Sequence, residues 1–212
     1  MKKIRVLLAD DHETVRQGLK LLIDRQPDMQ VVGEAGDGRA ALEAVASLQP
    51  QVAVIDISMP QMNGLAAARG IREQAPTTAI VALTRYADEA YVNELFTAGA
   101  LGYVLKQSSS RELVDAVRAA AAGRRYLDSS LAARVASSKD GKGRAAPRVS
   151  ERESEVLRLM SLGHSNKEIA GDLNLSVKTV EVHKANAMRK LGLTGRTDVV
   201  RYALLQGWLR DP

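Results

Sequence analysis

The 212-residue sequence contains no cysteine, and this absence excludes several kinds of protein. A chain without thiols has neither a disulfide framework nor a thiolate metal site, so a zinc finger built on cysteine is excluded. The same absence is typical of proteins in a reducing compartment, and we expect a cytoplasmic protein. The length favours two domains, each large enough for its own hydrophobic core.

The sequence also lacks apolar runs of the length needed to cross a bilayer. Residues 1–4 lead directly into a strand-like segment, without the apolar region and small-residue cleavage site of a secretory leader. These two absences predict a soluble protein that is not exported and has no membrane partner.

Positive charge is concentrated in the second part of the chain. The formal net charge is +5, but residues 1–123 contain 13 Lys and Arg against 15 Asp and Glu, whereas residues 124–212 contain 17 against 10. A local excess of cations is typical of domains that bind a polyanion. We therefore expect such a partner for the second part of the chain.

Strand-like and helix-like patterns alternate through residues 1–123. A helical pattern follows each strand-like run, and the fifth helix is predicted to begin with a capping box formed by Ser109 and Glu112 and to end at Gly123. Five strands alternating with five helices predict a doubly wound α/β domain with a five-stranded parallel sheet. The apolar runs typical of buried strands cover residues 4–9, 30–34, 52–56, 79–83 and 101–105.

The third strand ends at a single acid, Asp56, and the chain then enters a loop that contains Ser, Pro, Asn and Gly. In open parallel sheets the carboxyl edge of the strands is where ligands bind. Asp56 is therefore predicted to stand in the loop at that edge and not to be buried. Taken alone, Asp56 also fits a helix-capping or loop role.

Four more polar residues follow other strands of the same predicted sheet. Asp10 and Asp11 end the first strand, Thr84 the fourth and Lys106 the fifth, so the topology brings them to the edge that carries Asp56. Clustered carboxylates favour a hard divalent cation such as Mg²⁺. Lys106 offers a charge and Thr84 a hydroxyl to a phosphoryl group, which Asp56 could accept as a nucleophile. Singly, Thr84 and Lys106 also fit an ordinary strand-end hydroxyl and a surface lysine.

Together with the Met-Pro-Gln-Met-Asn-Gly loop at residues 59–64, these residues resemble the receiver domain of two-component response regulators. The likeness covers residues 1–123. It implies a flavodoxin-like fold, phosphorylation of Asp56 by a sensor histidine kinase, and a regulator that is not an enzyme. The implied Mg²⁺ ligands are Asp11 directly, Asp10 through a water molecule, Asp56, and the backbone carbonyl of Ser58.

Three further positions bear on this resemblance. Tyr103 matches the aromatic residue whose rotamer follows Thr84 in the family, although packing against the last helix would also account for it. Arg85 stands where the family usually has a small residue, so it either restricts access to Asp56 or points outward. Gln107 replaces a frequent proline, so the peptide bond before it is expected to be trans.

Residues 124–148 are predicted to be a linker between two domains. Residues 124–127 and 131–135 could support a short helix, whereas residues 137–144 contain no apolar side chain and are interrupted by glycine. The cations of this segment could contact phosphates, but a solvated spacer is the simpler interpretation.

Residues 149–212 are predicted to form four short helices with explicit start signals. Asn174 suits a left-handed backbone in the turn before the third helix. Two helices joined by so tight a turn form a helix-turn-helix. The start signals are the capping boxes Ser150 with Glu153 and Ser165 with Glu168, and the N-cap Ser176.

The third of these helices, residues 176–191, has two different faces. Val180, Ala187 and Leu191 are predicted to pack inward, with His183 beside them as a structural residue. The opposite face is a stripe of short side chains flanked by cations, which fits the major groove of double-stranded DNA. This stripe consists of Lys178, Glu181, Val182, Ala185 and Arg189.

Residues 149–209 resemble the LuxR-type four-helix DNA-binding domain through the sequences at residues 150–153, 163–170 and 176–183. With the receiver in front, the whole chain resembles a NarL/FixJ-type response regulator. This resemblance implies a homodimer, formed on phosphorylation, with a contact near residues 199–206 of the last helix. The residues expected to contact DNA phosphates are Lys178, Thr179, Lys184 and Lys190.

Two other functions are compatible with parts of the sequence. A constitutive DNA-binding regulator could use the receiver for dimerisation alone. Arg85 favours this hypothesis. It is opposed by the presence of the complete set of acids together with Thr84 and Lys106. A Mg²⁺-dependent aspartyl-phosphate phosphotransferase would also place an acid at a strand end. Such enzymes carry a second acid two residues later for acid-base catalysis, where this chain has Ser58.

Overall fold

The structure is a computed structural model that describes residues 3–85, 89–132 and 149–209. The chain divides into two compact units between Asp140 and Gly141, and each unit is described by itself. The division falls inside the predicted linker, residues 124–148. Residues 133–148, which include the glycine-interrupted stretch of that linker, lie outside the described residues.

The first unit contains all five predicted strands and all five predicted helices. Their boundaries agree with the predicted ones closely, because Pro, Gly, Asn and Asp punctuate the chain between the apolar runs. The elements are β1 (Ile4–Ala9), α1 (Glu13–Asp24), β2 (Met29–Ala35), α2 (Gly38–Leu48), β3 (Val52–Asp56), α3 (Gly64–Gln74), β4 (Ala79–Thr84), α4 (Glu89–Thr97), β5 (Gly102–Leu105), α5 (Ser110–Ala121) and β6 (Tyr126–Leu127).

The sheet is parallel throughout, in the order β2-β1-β3-β4-β5-β6. Ala9 lies beside Ile55, and Thr84 lies beside Leu105, so the ends of the central strands meet at one edge. One face packs against α1 and α5 through a core that includes Val54. Helices α2 and α3 pack against each other and against β1 to β3. The doubly wound α/β architecture is confirmed.

A sixth strand changes the predicted sheet. β6 lies parallel to β5 and forms an edge of the sheet, although it belongs to residues 124–148, the predicted linker. The chain then becomes helical at Ser129 to Ala132, and Leu131 is only 1% exposed. Within the described part of this unit the sheet therefore has six strands and not five, and the packed part continues past Gly123. Two residues carry no hydrophobic period, so the sequence alone contains no signal for this strand.

The predicted capping box at the start of α5 is wrong. Ser109 occupies the N-cap position, but its side chain makes no capping hydrogen bond. The Glu112 carboxylate instead accepts hydrogen bonds from the Tyr126 hydroxyl at 2.7 Å, the Ser129 hydroxyl at 2.6 Å and the Ser129 backbone N–H at 3.2 Å. These partners belong to β6 and the turn after it, so long-range contacts have replaced the local motif.

In residues 149–209, the second unit is all-α, with four helices as predicted. Both predicted capping boxes are present, and the Ser176 side chain accepts a hydrogen bond from the backbone N–H of Thr179. Asn174, at φ 54°, supplies the left-handed residue of the tight turn in the helix-turn-helix. None of the helices in the described ranges is long and apolar enough to cross a membrane. The helices are α6 (Glu151–Ser161), α7 (Asn166–Asp172), α8 (Val177–Leu191) and α9 (Arg196–Leu205).

Candidate functional site

The carboxyl edge of the sheet in the first unit holds a compact group of acids. The possible ligand atoms of Asp10, Asp11, His12 and Asp56 all lie within 4.8 Å of one another. Asp10 follows β1 and Asp56 ends β3, so two neighbouring parallel strands bring them together. The three aspartates were predicted to meet here. His12 was not predicted to join them, and its position next to the acid pair is the one sequence signal that could have indicated it.

Lys106 bridges the two buried acids of this group. Its Nζ atom lies 2.6 Å from Asp10 Oδ2 and 2.7 Å from Asp56 Oδ2. Asp10 is 0% exposed and Asp56 is 2% exposed, so the expectation that Asp56 stands in the loop and is not buried is wrong. Burial raises the pKa of Asp56, while the hydrogen bond and charge of Lys106 act to lower it. Lys106 is therefore the main source of stabilisation for the Asp56 carboxylate.

Two residues of the first turns after β1 hold the acid pair in place. The backbone N–H of His12 donates to Asp10 Oδ1 at 2.9 Å, and His12 Nδ1 lies 2.8 Å from Asp11 Oδ1. The Arg16 guanidinium donates to the backbone carbonyl of Asp10 at 2.7 Å. Asp10 is thus fixed through both its backbone and its side chain.

The donor set fits a hard divalent cation. Carboxylate oxygens of Asp10, Asp11 and Asp56 converge on one space, and Mg²⁺ prefers carboxylate and carbonyl oxygen together with water. Three carboxyl groups surround a single lysine, and a bound cation would offset their negative charge. The predicted carbonyl ligand, Ser58, lies in the adjoining loop, where its backbone N–H donates to Asp56 Oδ1 at 3.2 Å.

The loop between β3 and α3 folds closely against Asp56. The Gly64 backbone N–H donates to the carbonyl of Ile57 at 3.0 Å. A Cβ atom at Gly64 would lie 2.1 Å from the carbonyl oxygen of Asp56. Asn63 caps α3 by accepting a hydrogen bond from the backbone N–H of Ala66. Glycine is therefore the residue that fits at position 64 without displacing the acid.

Thr84 ends β4, and Tyr103 lies within the neighbouring strand β5. Thr84 is 1% exposed, and its carbonyl accepts the backbone N–H of Lys106 at 2.7 Å. Tyr103 is fully buried. Arg85 is exposed and lines the same groove as Lys106, so both expected alternatives for its side chain stay open. No peptide bond of the described ranges is cis, which confirms the trans bond expected before Gln107.

The second unit presents the stripe predicted on α8. Val180 and Ala187 are 0% exposed on the inner side of the helix, whereas Val182 is 49% exposed. An exposed valine on a helix-turn-helix is suited to an apolar base contact such as a thymine methyl group. Lys178 and Glu181 form an exposed ion pair of 3.4 Å beside it. The exposed residues of the stripe are Lys178, Glu181, Val182, Ala185 and Arg189.

The predicted phosphate contacts differ in their surroundings. Lys178 is exposed, Lys184 is half-buried, and the Thr179 hydroxyl lies 2.8 Å from that of the N-cap serine. Lys190 Nζ lies 2.6 Å from Oε2 of the buried Glu153, a residue 37 positions earlier in the chain. Lys190 therefore connects the end of α8 to the start of α6, a contact that the sequence did not predict.

Helix α9, on which the dimer contact near residues 199–206 was predicted, has one buried and one accessible side. The buried side belongs to the core of the unit, where the rings of Tyr202 and Trp208 meet edge to face at 5.6 Å. Only the other side is available to a second copy. Val199, Tyr202 and Ala203 are buried, Val200 and Leu204 are half-buried, and Arg201 is exposed.

Two family profiles match this chain, one for each unit. The family described as "Response regulator receiver domain" matches residues 6–118. The family described as "Bacterial regulatory proteins, luxR family" matches residues 148–203. The first match contains the acids and Lys106, and the second contains the whole of α8.

Several known proteins are similar over nearly the full length. The "Transcriptional regulatory protein LiaR" of Bacillus subtilis (strain 168) is 39% identical over 203 residues, which are 94% of this chain and 96% of that protein. The "Oxygen regulatory protein NreC" of Staphylococcus carnosus (strain TM300) is 39% identical over 210 residues, which are 95% and 97% of the two chains. A solved structure described as "Structure of the two-component response regulator RcsB-DNA complex" is 30% identical, with a TM-score of 0.76 over 95% of this chain and 98% of that one. The chain therefore belongs to the NarL/FixJ-type response regulators, in which a receiver domain precedes a LuxR-type DNA-binding domain.

Proposed function

We propose that this protein is a phosphorylation-dependent transcription regulator in which Asp56 accepts a phosphoryl group from a sensor histidine kinase. The observation that carries the proposal is the position of the Lys106 ammonium, 2.6 Å from Asp10 and 2.7 Å from Asp56. A buried ion pair is a weak source of stability compared with apolar packing. A ligand whose negative charge Lys106 can meet accounts for this arrangement better than stability does.

Each residue of the site has a separate chemical task in the proposal. An oxygen of the Asp56 carboxylate forms a new P–O bond while the P–N bond of a phosphohistidine breaks and the imidazole leaves. Lys106 then pairs with one phosphoryl oxygen, and the Thr84 hydroxyl donates to another. The residues that would hold Mg²⁺, which supplies further positive charge to the phosphoryl oxygens, are Asp10, Asp11, Asp56 and the carbonyl group of Ser58.

A groove that includes Lys106 supports a protein as the phosphoryl donor. This cavity of about 640 Å³ lies between α1 and the loop from β5 to α5. Apolar side chains such as Leu19, Leu22 and Leu113 line it, and Lys106 belongs to the same wall. An apolar groove of this kind suits the apolar face of a helix. A small phosphodonor would not need such a surface, whereas a kinase would.

Measurement of the intact mass tests the acceptor. After incubation with a small-molecule phosphodonor and Mg²⁺, we expect one phosphoryl adduct on the wild-type protein and none on Asp56→Asn, because asparagine keeps the shape but lacks the anionic nucleophile. Asp37→Asn, which changes the N-cap residue of α2, is the matched control and should be modified normally. An adduct on Asp56→Asn would place the acceptor elsewhere. Continued turnover of the donor would favour the phosphotransferase alternative.

The second part of the proposal is that α8 binds double-stranded DNA in the major groove. Its support is the exposed stripe on α8 and the excess of cations in residues 124–212. Because the DNA of a bacterial cell lies in the cytoplasm, we propose that location for the protein.

Substitutions on α8 test the DNA contacts. Lys178→Ala and Lys184→Ala should weaken binding to all sequences and reduce its salt dependence, since phosphate contacts carry no sequence information. Substitutions of Glu181 and Val182 should change the preference between sites. Arg152→Ala, an exposed position on α6, is the control and should change neither. Equal effects of all four α8 substitutions on specific and random DNA would overturn the roles of Glu181 and Val182.

The third part of the proposal is a homodimer that forms on phosphorylation. One helix-turn-helix makes few base contacts, so two copies spaced by about one helical turn of DNA supply the specificity. The accessible side of α9 would form the contact between DNA-binding units. Phosphorylation is proposed to draw Thr84 inward and so to change the space available to Tyr103 on the adjacent strand.

Sedimentation at several concentrations tests this part. With a stable phosphoryl mimic and Mg²⁺, we expect a higher association constant than without them. An unchanged association constant combined with raised DNA affinity would instead favour the release of a block within one chain.

A further inference from the structure

Asp128 is a fully buried carboxylate in a segment where the sequence predicts a linker. It is 0% exposed. Its Oδ2 atom accepts the backbone N–H of Leu105 at 3.2 Å, and its Oδ1 atom accepts both the backbone N–H of Ser130 at 3.1 Å and the Ser130 hydroxyl at 2.6 Å. The Ser108 side chain also hydrogen-bonds to it. One side chain thus joins the end of β5, the loop after it and the helical turn that follows β6.

The path of the backbone explains why Leu105 needs this side chain. The backbone N–H of Asp128 donates to the carbonyl of Tyr103 at 2.9 Å, which continues the pairing of β6 with β5. The chain then turns, and the Asp128 carbonyl accepts the N–H of Leu131 at 3.0 Å as the helical turn begins. The next donor of β5, the N–H of Leu105, therefore has no backbone carbonyl of β6 opposite it, and the Asp128 carboxylate takes that place.

Leu105 directly precedes Lys106, so Asp128 is connected to the phosphoryl site by consecutive contacts. Lys106 is held from the other strand by its backbone N–H, which donates to the Thr84 carbonyl at 2.7 Å. Its side chain reaches Asp56 at 2.7 Å. We propose that Asp128 is a positioning residue for Lys106 and that it couples the phosphoryl state of Asp56 to the segment that continues toward the DNA-binding unit. This inference rests on the proposed function of Asp56.

Other contacts tie the same segment to the helices of the first unit. Burial would raise the pKa of Asp128, but its hydrogen bonds outweigh this effect and lower it, so the carboxylate stays charged. From α5, Glu112 holds Tyr126 and Ser129. The Arg125 guanidinium lies 5.2 Å from the ring centroid of Phe96 on α4. Residues 125–130 are thus held by Asp128, by Glu112 and by the contact of Arg125 with Phe96. A segment held in this way is suited to move as one unit when the β5–α5 loop is displaced.

Asp128→Ser, made in the full-length protein, separates two roles of this residue: capping the helical turn at Ser130 and accepting the backbone N–H of Leu105. Serine can still cap the helical turn at Ser130, but it has no second oxygen to reach Leu105. Asp128→Asn keeps the size and one acceptor oxygen, so an intermediate effect is expected. Thr78→Val is the matched control, because Thr78 is 6% exposed and its hydroxyl donates to the Pro50 carbonyl at the opposite edge of the sheet.

Two measurements are made on each variant, with and without Mg²⁺ and a beryllium fluoride complex as the phosphoryl mimic. The first is amide hydrogen exchange by mass spectrometry over residues 102–110 and 124–132. The second is the affinity for DNA. In the wild type we expect the mimic to change exchange in both segments. In Asp128→Ser we expect a change in the first segment alone, faster exchange there without the mimic, and a loss of about two- to thirtyfold in the DNA affinity gained with the mimic.

Each outcome separates the possible explanations. A wild-type exchange response of residues 124–132 in Asp128→Ser would show that Asp128 is only a helix cap and would overturn the proposal. The same loss in Thr78→Val would assign the effect to general destabilisation and would also overturn it. If the wild type shows no response to the mimic, the proposed function fails. The positioning role is then decided separately by comparing amide exchange of residues 102–110 in Asp128→Ser and the wild type without the mimic. Faster exchange in the variant would support this role, and an unchanged rate would refute it.

Discussion

Replacing Lys190 with methionine removes the cation that contacts Glu153 in the second unit. Lys190 Nζ lies 2.6 Å from Glu153 Oε2, and the same oxygen accepts the backbone N–H of Ser150 at 2.7 Å. Glu153 is 4% exposed, whereas the Lys190 side chain is 24% exposed. Methionine approximates the aliphatic stem of lysine, so packing is largely kept. The substitution therefore isolates the charged contact.

The loss in the free energy of unfolding should be about 2 kcal/mol. A hydrogen bond to a charged group contributes about 1.5–3 kcal/mol, and breaking a fully buried ion pair from one side costs about 3–5 kcal/mol. Because Lys190 is partly exposed, water can reach the carboxylate after the substitution, which places the loss in the lower range. For a domain of this size such a loss lowers Tm by roughly 10 °C.

This difference should depend on pH. Burial would raise the pKa of Glu153, but Lys190 and Ser150 outweigh it and lower the pKa. A carboxylate with a lowered pKa stabilises the folded state above its unfolded pKa of about 4.3, and this stabilisation is lost as the pH falls through the folded value. The wild type and Lys190→Met should therefore differ fully at neutral pH and converge below about pH 4.

The chain offers a specific probe for this measurement. Trp208 is the single tryptophan of the sequence, and it packs against the core of the second unit, so its fluorescence in a denaturant titration reports on that unit. Glu153→Gln and the double variant complete a mutant cycle. Lys178→Met, at a side chain that is 84% exposed, is the control and should leave stability unchanged. The reasoning would be refuted if Lys190→Met were as stable as the wild type while the slope of log binding constant against log salt concentration fell by about 1. That result would identify Lys190 as a phosphate contact.

Substitutions in the first unit test the site and the segment after α5. Gly64→Ala should cost about 1–3 kcal/mol and slow phosphorylation, because the methyl group would lie 2.1 Å from the Asp56 carbonyl oxygen; an unchanged midpoint in denaturant would contradict this. Lys106→Ala should still bind Mg²⁺ but show a weak DNA-binding response to phosphorylation, and a normal response would exclude its proposed role. Glu112→Gln should lower the stability of this unit by about 1–2 kcal/mol, since a charged acceptor of three hydrogen bonds is lost. Calorimetry compares it with Arg111→Gln, an 89% exposed neighbour that should have little effect.

Most elements of both units could be predicted from local signals. β3 is buried at every residue, and its short apolar run, rich in β-branched residues and bounded by turn residues, is typical of a buried parallel strand. The caps at Ser150, Ser165 and Ser176 lie within three residues of their partners. Such signals are complete in the sequence, because both partners of each contact are local.

The candidate site could be predicted for a different reason, which is topology. Once the strands are parallel, the residues that follow them must meet at one edge, so Asp10, Asp56 and Lys106 come together without any knowledge of distances. The sequence does not show how closely they meet. The burial of Asp56 beneath Lys106 and the inclusion of His12 depend on how individual side chains pack at the strand ends, which no hydrophobic pattern in the sequence indicates.

Three contacts that could not be predicted share one physical property: in each, a carboxylate accepts a hydrogen bond from a donor far along the chain. Glu112 binds Ser129 from 17 residues away, Asp128 binds Leu105 from 23 and Glu153 binds Lys190 from 37. The pattern Ser-x-x-Glu occurs both at the start of α5 and at the start of α6, yet only the second forms a capping box. Glu112 does not form the cap because it accepts hydrogen bonds from the hydroxyl groups of Tyr126 in β6 and Ser129 after it. A strand of two residues is too short to leave a hydrophobic pattern in the sequence. Contacts that join separate elements are the ones able to transmit a change between them. Local patterns are therefore least informative about the contacts that join separate elements of each unit.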